Sequence, residues 1–279
     1  MPTYLRPAGL DEALAALANA KLTVLAGGTD YYPARVGKPI DDDILDISAI
    51  ASLRGIRADG SQWRIGATST WSDLAEAELP SLFDGLKAAA REIGGAQIQN
   101  AGTIGGNLCN ASPAADGVPP LLALDARVEI ADAAGSTSLA LADFILGNRK
   151  TALRPGQLLT AILVPKPEHG ARSHFLKLGA REYLVVSIAM VAATLETEAG
   201  RVRAARIAVG ACSPVARRLP LAEAVLVGKP CDATLGGFLR AEHLAALSPI
   251  DDVRASGEYR LDAALTLARR VLNHIGAQA

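Results

Sequence analysis

Cysteine is scarce in this chain of 279 residues, which has only three, Cys109, Cys212 and Cys231, and no CxxC pair. Such an odd, sparse set argues against a disulfide framework and is typical of proteins in a reducing compartment. Zinc and iron–sulfur sites use closely spaced cysteines or histidines, and the four histidines show no such spacing either. The sequence therefore predicts no metal centre built by this chain.

The chain also has no long apolar run, no marked excess of one charge sign and few aromatic residues. No apolar segment approaches the roughly 20 residues needed to cross a bilayer, and the N-terminus lacks the plan of a signal peptide. Lys and Arg total 28 against 29 Asp and Glu, there is no basic run, and aromatic residues make up 4%, which argues against nucleic-acid binding. We expect a cytoplasmic protein that neither spans a membrane nor binds nucleic acid.

The common catalytic and nucleotide-binding fingerprints are absent as well. The chain has no G-x-G-x-x-G, no P-loop, no G-x-S-x-G and no H-E-x-x-H, and no Ser/His/Asp or Cys/His set stands out. These absences exclude a Rossmann fingerprint and a P-loop. They predict no catalytic residue of the chain's own.

What the chain does contain is a pair of glycine-rich loops. In the first, the apolar run 22–26 stops at Gly27 and Gly28, and Thr29 and Asp30 follow as possible helix caps. Adjacent glycines let the backbone approach a ligand closely, and N–H groups at a helix start favour an anion. The alternative is a plain strand-to-helix turn.

The second loop, Thr103-Ile104-Gly105-Gly106-Asn107, opens the stretch TIGGNLCNASPAADGVPPLLALDA at 103–126. Its backbone N–H groups would form an anion nest, to which Thr103 and Asn107 add side-chain donors. The apolar run 119–124 is predicted to be core. Since the two loops lie about 75 residues apart, they suggest one diphosphate held from two sides.

Periodicity predicts a sheet-and-helix chain of the α+β class. A capping box at Thr70–Asp73 opens a helix through Ala77, and a Glu-Ala-Gly-Arg turn at 198–201 joins two antiparallel strands. The segment 165–173, rich in Pro, Gly and charge, is the expected domain boundary. Strands are predicted at 22–26, 44–47, 63–67, 128–131, 137–141, 157–164, 174–178, 185–195 and 202–211, and helices at 10–20, 32–36, 82–93, 220–227, 234–246 and 258–275.

The motifs AGGTD and TIGGNLCNASPAADGVPPLLALDA resemble the flavin-binding subunit of the molybdenum hydroxylases, the family of xanthine dehydrogenase and aerobic carbon monoxide dehydrogenase. The lead-in 97–102 is similar too, except that Gln99 stands where the family usually has Arg. The resemblance continues through 177–181 and 203–210 and so covers nearly the whole chain.

The resemblance implies that FAD is bound non-covalently, since the first loop has no histidine or cysteine to attach it. Cys109 directly follows the second loop, and because a lone cysteine is usually inert, it is expected to be a packing residue. Arg203 and Arg206 are expected to be ordinary charges at a strand edge. The implied cofactor-binding residues are Leu25, Ala26, Gly27, Gly28, Thr29, Asp30, Tyr31, Thr103, Ile104, Gly105, Gly106, Asn107, Asp116, Leu159, Lys177 and Tyr183.

Several of these residues also have an ordinary structural interpretation. Asp116 could equally form an Asx-turn before Pro119. Leu159 could simply be a core residue of a strand, and Lys177 could be a solvated surface charge. Many family members have Asp-Ile or Asp-Leu near the position where this chain has Tyr183-Leu184-Val185, so the role of Tyr183 stays open.

The resemblance further implies the fold of vanillyl-alcohol oxidase and the cell-wall enolpyruvyl reductase. A PCMH-type FAD-binding domain at 1–168, with lobes at about 1–52 and 53–168, would be followed by an α+β domain at 169–279 that closes over the flavin and holds a three-stranded antiparallel sheet.

The implied function is that of an electron-transfer subunit. It would pass electrons from the iron–sulfur clusters of a small partner to an external acceptor, while a large partner carries the molybdenum cofactor, in a dimer of heterotrimers. Two alternatives remain: a free-standing FAD-dependent oxidoreductase, and a non-enzymatic nucleotide-binding assembly protein.

Overall fold

The computed structural model describes residues 2–182 and 184–279. The strands are β1 (Tyr4–Leu5), β2 (Thr23–Leu25), β3 (Ile44–Asp46), β4 (Ile56–Asp59), β5 (Gln62–Gly66), β6 (Arg127–Asp132), β7 (Gly135–Ala140), β8 (Ile145–Gly147), β9 (Lys150–Thr151), β10 (Leu158–Pro165), β11 (Ala171–Leu178), β12 (Ala189–Glu198), β13 (Arg201–Gly210) and β14 (Arg217–Arg218). The α-helices are α1 (Leu10–Asn19), α2 (Trp71–Glu76), α3 (Asp84–Glu92), α4 (Ala96–Ala101), α5 (Ile104–Asn110), α6 (Val118–Ala123), α7 (Leu141–Phe144), α8 (Pro220–Leu226) and α9 (Gly257–Gly276).

The N-terminal sheet is small and parallel, in the order β1-β3-β2. Helix α1 packs on it because its apolar residues recur at helical spacing, so that Ala13, Leu14 and Leu17 are all buried. The predicted strands at 22–26 and 44–47 are confirmed in type. The helix predicted at 32–36 is only a 3₁₀ turn, Pro33–Arg35. Since β2 is an edge strand, the first glycine loop leaves from the margin of this sheet.

The second sheet is antiparallel, in the order β4-β5-β10-β6-β7. The predicted β6–β7 hairpin around Gly135 is confirmed. The predicted capping box is also confirmed: the Thr70 side chain accepts from the N–H of Asp73, and the Asp73 carboxylate accepts from the N–H of Thr70. Such a cap is worth about 1 kcal/mol, and it fixes the start of α2 beside the second glycine loop.

Helix α6 is buried along its whole length and packs against β12 and β13 of the third sheet. A Cβ built on Gly210 would lie 2.9 Å from Cγ of Pro119, so glycine permits this close approach. The prediction that 119–124 is core is therefore confirmed. Helix α6 joins the core of the first two-thirds of the chain to the C-terminal sheet.

The C-terminal sheet is antiparallel, in the order β11-β12-β13-β14. The predicted turn at 198–201 is confirmed, with Ala199 and Gly200 both at positive φ between the paired Glu198 and Arg201. The short fourth strand β14 was not predicted. The strand expected from Val185 begins at Ala189 instead, because the preceding segment turns aside so that Ser187 contacts Asp116.

The helix predicted at 234–246 is wrong. The segment forms two 3₁₀ turns, Leu235–Phe238 and Ala241–Leu244. A Cβ on Gly236 would overlap the backbone of Arg269 in α9, and the Arg269 guanidinium donates to the carbonyl of Leu239. Contact with α9 thus outweighs the helical periodicity. The helices predicted at 220–227 and 258–275 are confirmed as α8 and α9.

Candidate functional site

A cleft of about 970 Å³ opens between the N-terminal sheet and the second sheet. Its volume lies at the upper end of the range of about 300–1,000 Å³ that is usual for ligand sites. Its walls are formed by residues 24–31 with Pro33, Ala34, Arg35 and Ile47 on one side, and by Ala67, Trp71, Ile93, Ile98, Gly102, Thr103, Gly105, Gly106, Asn107, Cys109, Asn110, Arg149, Leu153, Gln157, Leu158 and Leu159 on the other.

The first glycine loop contacts the segment that leads into the second loop. A Cβ built on Gly27 would overlap the carbonyl oxygen of Ala101, at the end of α4. A Cβ on Gly102 would lie 3.4 Å from Oγ1 of Thr29. The glycines are therefore required for the contact between the loops, besides any contact with a ligand.

The first loop presents unpaired backbone donors to the cleft. Among the described residues, no N–H group between Ala26 and Tyr31 has a hydrogen-bond acceptor. Gly28 has a φ of +69°, a left-handed conformation that favours glycine. Successive free N–H groups in such a loop form a concave site for an anion.

The second loop differs from the predicted nest because its own fold uses its N–H groups. Ile104 donates to the carbonyl of Ser69, Gly105 to that of Ala67, and Gly106 to the Thr103 hydroxyl. The N–H of Asn107 donates to the carbonyl of Thr103. What this loop offers the cleft is glycine surface and the side chain of Asn107, whose Oδ1 is buried and has no partner in the described chain.

The structure separates the residues implied by the resemblance into two sets. The first set lines the cleft and consists of Leu25, Ala26, Gly27, Gly28, Thr29, Asp30, Tyr31, Thr103, Gly105, Gly106, Asn107 and Leu159. In the second set, Ile104 is fully buried in the core, and Asp116 and Lys177 are not among the lining residues. Tyr183 lies outside the described residues.

Asp116 and Lys177, which are not lining residues of the cleft, form a buried ion pair. Lys177 Nζ lies 2.9 Å from Asp116 Oδ2 and also donates to the carbonyl of Glu92, and Ser187 donates its hydroxyl to Asp116 Oδ1. The side chains of Lys177 and Asp116 are only 5% and 10% exposed. Burial raises the pKa of the Asp116 carboxyl, against the opposite effects of the Lys177 ammonium and the Ser187 hydroxyl.

Sequence reasoning missed the cationic side chains of the cleft, Arg35 and Arg149. Arg149 contacts Asn110, while Arg35 pairs with Asp42 and packs on the ring of Tyr31. Neither lies in a glycine motif. The only signal for Arg35 is that it follows the first loop within a few residues.

Within residues 2–182 and 184–279, no group of three or more His, Cys, Asp or Glu side chains is placed to hold a metal ion. The same residues contain no helix that is both long and apolar enough to span a membrane.

Two family models match the chain. Residues 1–167 match the FAD binding domain in molybdopterin dehydrogenase, and residues 174–275 match the CO dehydrogenase flavoprotein C-terminal domain. The xanthine dehydrogenase FAD-binding subunit of Escherichia coli O157:H7 is 32% identical over 99% of this chain and 97% of the relative. The carbon monoxide dehydrogenase medium chain of Afipia carboxidovorans is 31% identical over the same shares.

Solved structures agree with the sequence matches. Reconstituted CO dehydrogenase from Oligotropha carboxidovorans superimposes with a TM-score of 0.90 at 29% identity, over 100% of this chain and 99% of the other. Quinoline 2-oxidoreductase from Pseudomonas putida 86 gives 0.87 at 27% identity, over 100% and 98%. The chain belongs to the family of FAD-binding oxidoreductase subunits of the molybdopterin dehydrogenases.

Proposed function

We propose that this chain holds FAD non-covalently in the cleft, with the diphosphate against residues 26–31. The observation that carries this proposal is the row of unpaired N–H groups in the first loop, next to the glycine surface of the second. These donors fit an anion, and the apolar wall formed by Ile93, Leu158 and Leu159 fits a flat aromatic group. FAD would supply the redox chemistry, and the chain would bind and orient it.

The other residues named from the family have different supporting evidence. Thr103, Gly105, Gly106 and Asn107 line the cleft opposite the first loop and would complete the diphosphate site. Asp116 and Lys177 would act indirectly, by holding β11 and the segment around Ser187 in place. Tyr183 remains a proposal from the resemblance alone.

We propose that the chain passes electrons from iron–sulfur clusters in a small partner to an external acceptor. A large partner would carry the molybdenum cofactor, and the complex would be a dimer of heterotrimers in the cytoplasm. Support comes from relatives that are named medium chains or medium subunits. The three free cysteines agree with a reducing compartment.

We also propose domain limits at 1–168 and 169–279, with lobes of the first domain at about 1–52 and 53–168. The two family models end and begin on either side of this boundary. The small parallel sheet lies within the first proposed lobe, and the antiparallel sheet β11-β12-β13-β14 within the second domain.

The first experiment is a visible spectrum of the full chain purified alone, followed by heat release of the chromophore. Yellow protein that releases intact FAD supports the proposal and the non-covalent linkage. Flavin that stays with the denatured chain would contradict the linkage. Colourless protein that does not take up added FAD would contradict the cofactor assignment and favour a non-enzymatic assembly protein.

A second experiment separates a subunit from a free-standing enzyme. The chain is expressed with its neighbouring subunits and, in parallel, alone. We expect substrate oxidation only from the complex, with molybdenum and iron co-purifying. Substrate turnover by the isolated chain would instead support a free-standing oxidoreductase.

A further inference from the structure

Arg35 is a cation held against the loop that carries the free N–H groups. Its Nη1 donates to the carbonyl of Tyr31 at 3.2 Å, and its guanidinium carbon lies 3.8 Å from the centre of the Tyr31 ring. Arg35 and Tyr31 both line the cleft. The guanidinium is therefore fixed at the end of the row of donors formed by residues 26–31.

Asp42 holds this arginine from the other side. Arg35 donates from Nε to Asp42 Oδ2 at 2.9 Å, its Nη2 lies 2.8 Å from the same oxygen as an ion pair, and the Tyr31 hydroxyl donates to that oxygen as well. A guanidinium has five N–H donors in a rigid plane. Two of them donate hydrogen bonds, one from Nε and one from Nη1, and the Nη groups keep further N–H donors that have no hydrogen-bond acceptor in the described part of the chain.

The first loop carries a negative charge of its own, so an anion bound there needs a cation nearby. Asp30 is the only ionisable residue with a formal charge between Val24 and Tyr31, and it lines the cleft. A diphosphate at the free N–H groups would lie near this like charge. Arg35 is the cationic side chain in contact with that loop, whereas Arg149 contacts Asn110 at the end of α5.

We propose that Arg35 is a diphosphate-binding residue: Asp42 and the Tyr31 ring orient it so that the free N–H groups on its Nη atoms reach the phosphate oxygens of FAD. This inference rests on the proposed function of the cleft. A guanidinium can offer two parallel N–H donors to the oxygens of a phosphate, which a lysine ammonium does not do in the same way. Asp42 is in turn a positioning residue that acts through Arg35.

The test measures the affinity of the flavin-free full chain for FAD and for ADP by titration calorimetry. ADP is chosen because it has the diphosphate and lacks the flavin ring. We expect Arg35→Met to weaken both ligands by the same factor, roughly 10- to 100-fold, as the loss of a charge-assisted hydrogen bond would. Arg35→Lys should give an intermediate loss, because it keeps the charge without the fork.

Arg203→Met is the matched control. Arg203 is an exposed arginine of β13, paired with Glu198, and it does not line the cleft. This variant should bind both ligands as the unmodified chain does. Asp42→Asn should weaken ADP less than Arg35→Met does, because the guanidinium remains but is held less firmly.

Three results would overturn the inference: unchanged affinity in Arg35→Met, a loss for FAD without a loss for ADP, or equal affinity in Arg35→Lys and the unmodified chain. If Arg35→Met does not fold, Arg35→Lys decides by the same criteria. If the unmodified chain does not bind FAD in the first titration, the proposed function itself is wrong, and this outcome is distinct from the three above.

Discussion

Gly27 is in contact with the backbone of Ala101, just before the second glycine loop. The Cα of Gly27 lies so near the carbonyl oxygen of Ala101 that any Cβ would overlap it. Ala101 ends α4, and Gly102 leads from it into the second loop, which begins at Thr103. The contact therefore sets the distance between the two loops.

Gly27→Ala should separate the loops. The obstructing atom is backbone and cannot rotate away, so we expect a loss of stability of about 1–3 kcal/mol, the usual cost of overpacking. FAD affinity should fall at least tenfold, because both walls of the site are displaced. Chemical denaturation and FAD titration measure the two effects. Gly170→Ala is the control, since a Cβ there meets nothing within 4 Å; equal behaviour of the two variants would contradict the prediction.

Lys177→Met should destabilise the chain by about 3–5 kcal/mol, because Asp116 then loses its charge partner in a buried site. The pKa of Asp116, already raised by burial, should rise further without the ammonium. Denaturation of the flavin-free chain measures the effect, and Lys177→Met combined with Asp116→Asn should recover part of the loss. If Lys177→Met changes FAD affinity but not the stability of the flavin-free chain, the lysine acts on the flavin directly.

Replacement of Arg206 should cost much more stability than replacement of Arg203, which lies three residues away on β13. Arg206 pairs with the buried Glu196 at 2.6 Å and donates to the carbonyl of Ala123, whereas Arg203 makes an exposed pair with Glu198. Arg206→Met should cost about 3 kcal/mol by leaving Glu196 unpaired, and Arg203→Met less than about 1 kcal/mol. Urea denaturation at neutral pH checks this, and equal losses would contradict it.

The stability of the chain should fall on mild acidification because of His174. Its ring stacks on that of His274 with the centroids 3.8 Å apart, and burial, with a smaller effect of His274, lowers the pKa of His174 to about 4. Between the ordinary histidine pKa of about 6.5 and this value, the unfolded chain takes up a proton that the folded chain refuses. The contribution of His174 to the free energy of unfolding is therefore present above about pH 6.5, and it is lost as the pH falls toward 4.

His174→Gln should reduce this slope. Denaturation midpoints measured at pH 7, 6 and 5 for the unmodified chain and for His174→Gln give the comparison. His169→Gln, in the segment between β10 and β11, serves as the histidine control. A slope that His174→Gln leaves unchanged would assign the acid sensitivity to other groups.

Local signals in the sequence were sufficient for much of the fold. The Thr70–Asp73 cap, the turn at 198–201 and the helix 258–275 are specified by residues close in the chain. The errors occur where distant contacts decide. The backbone contact between Gly236 and Arg269 breaks the helix expected at 234–246, and the contact between Ser187 and Asp116 delays the start of β12.

The candidate site was predictable as a pair of loops, but its hydrogen bonding was not. The sequence cannot show that Ser69 and Ala67 accept the N–H groups of the second loop, since this depends on how that loop docks on the chain after β5. The pairing of Asp116 with Lys177 joins residues 61 positions apart. Arg206, expected to be a strand-edge charge, pairs with Glu196 across the β12–β13 hairpin, and its contact with the carbonyl of Ala123, 83 positions away, is what the sequence does not show.

The first glycine loop begins at β2, a three-residue strand that is paired on one side only. The opposite wall of the cleft belongs to the second sheet and its helices, so a ligand in the cleft bridges two parts of the chain. Its binding free energy then adds to the free energy of unfolding, by about 2.7 kcal/mol when the ligand is present at 100 times its Kd. The lifetime of the folded chain in a cell would therefore follow the supply of flavin as well as its own packing, and flavin-starved cells should degrade it faster.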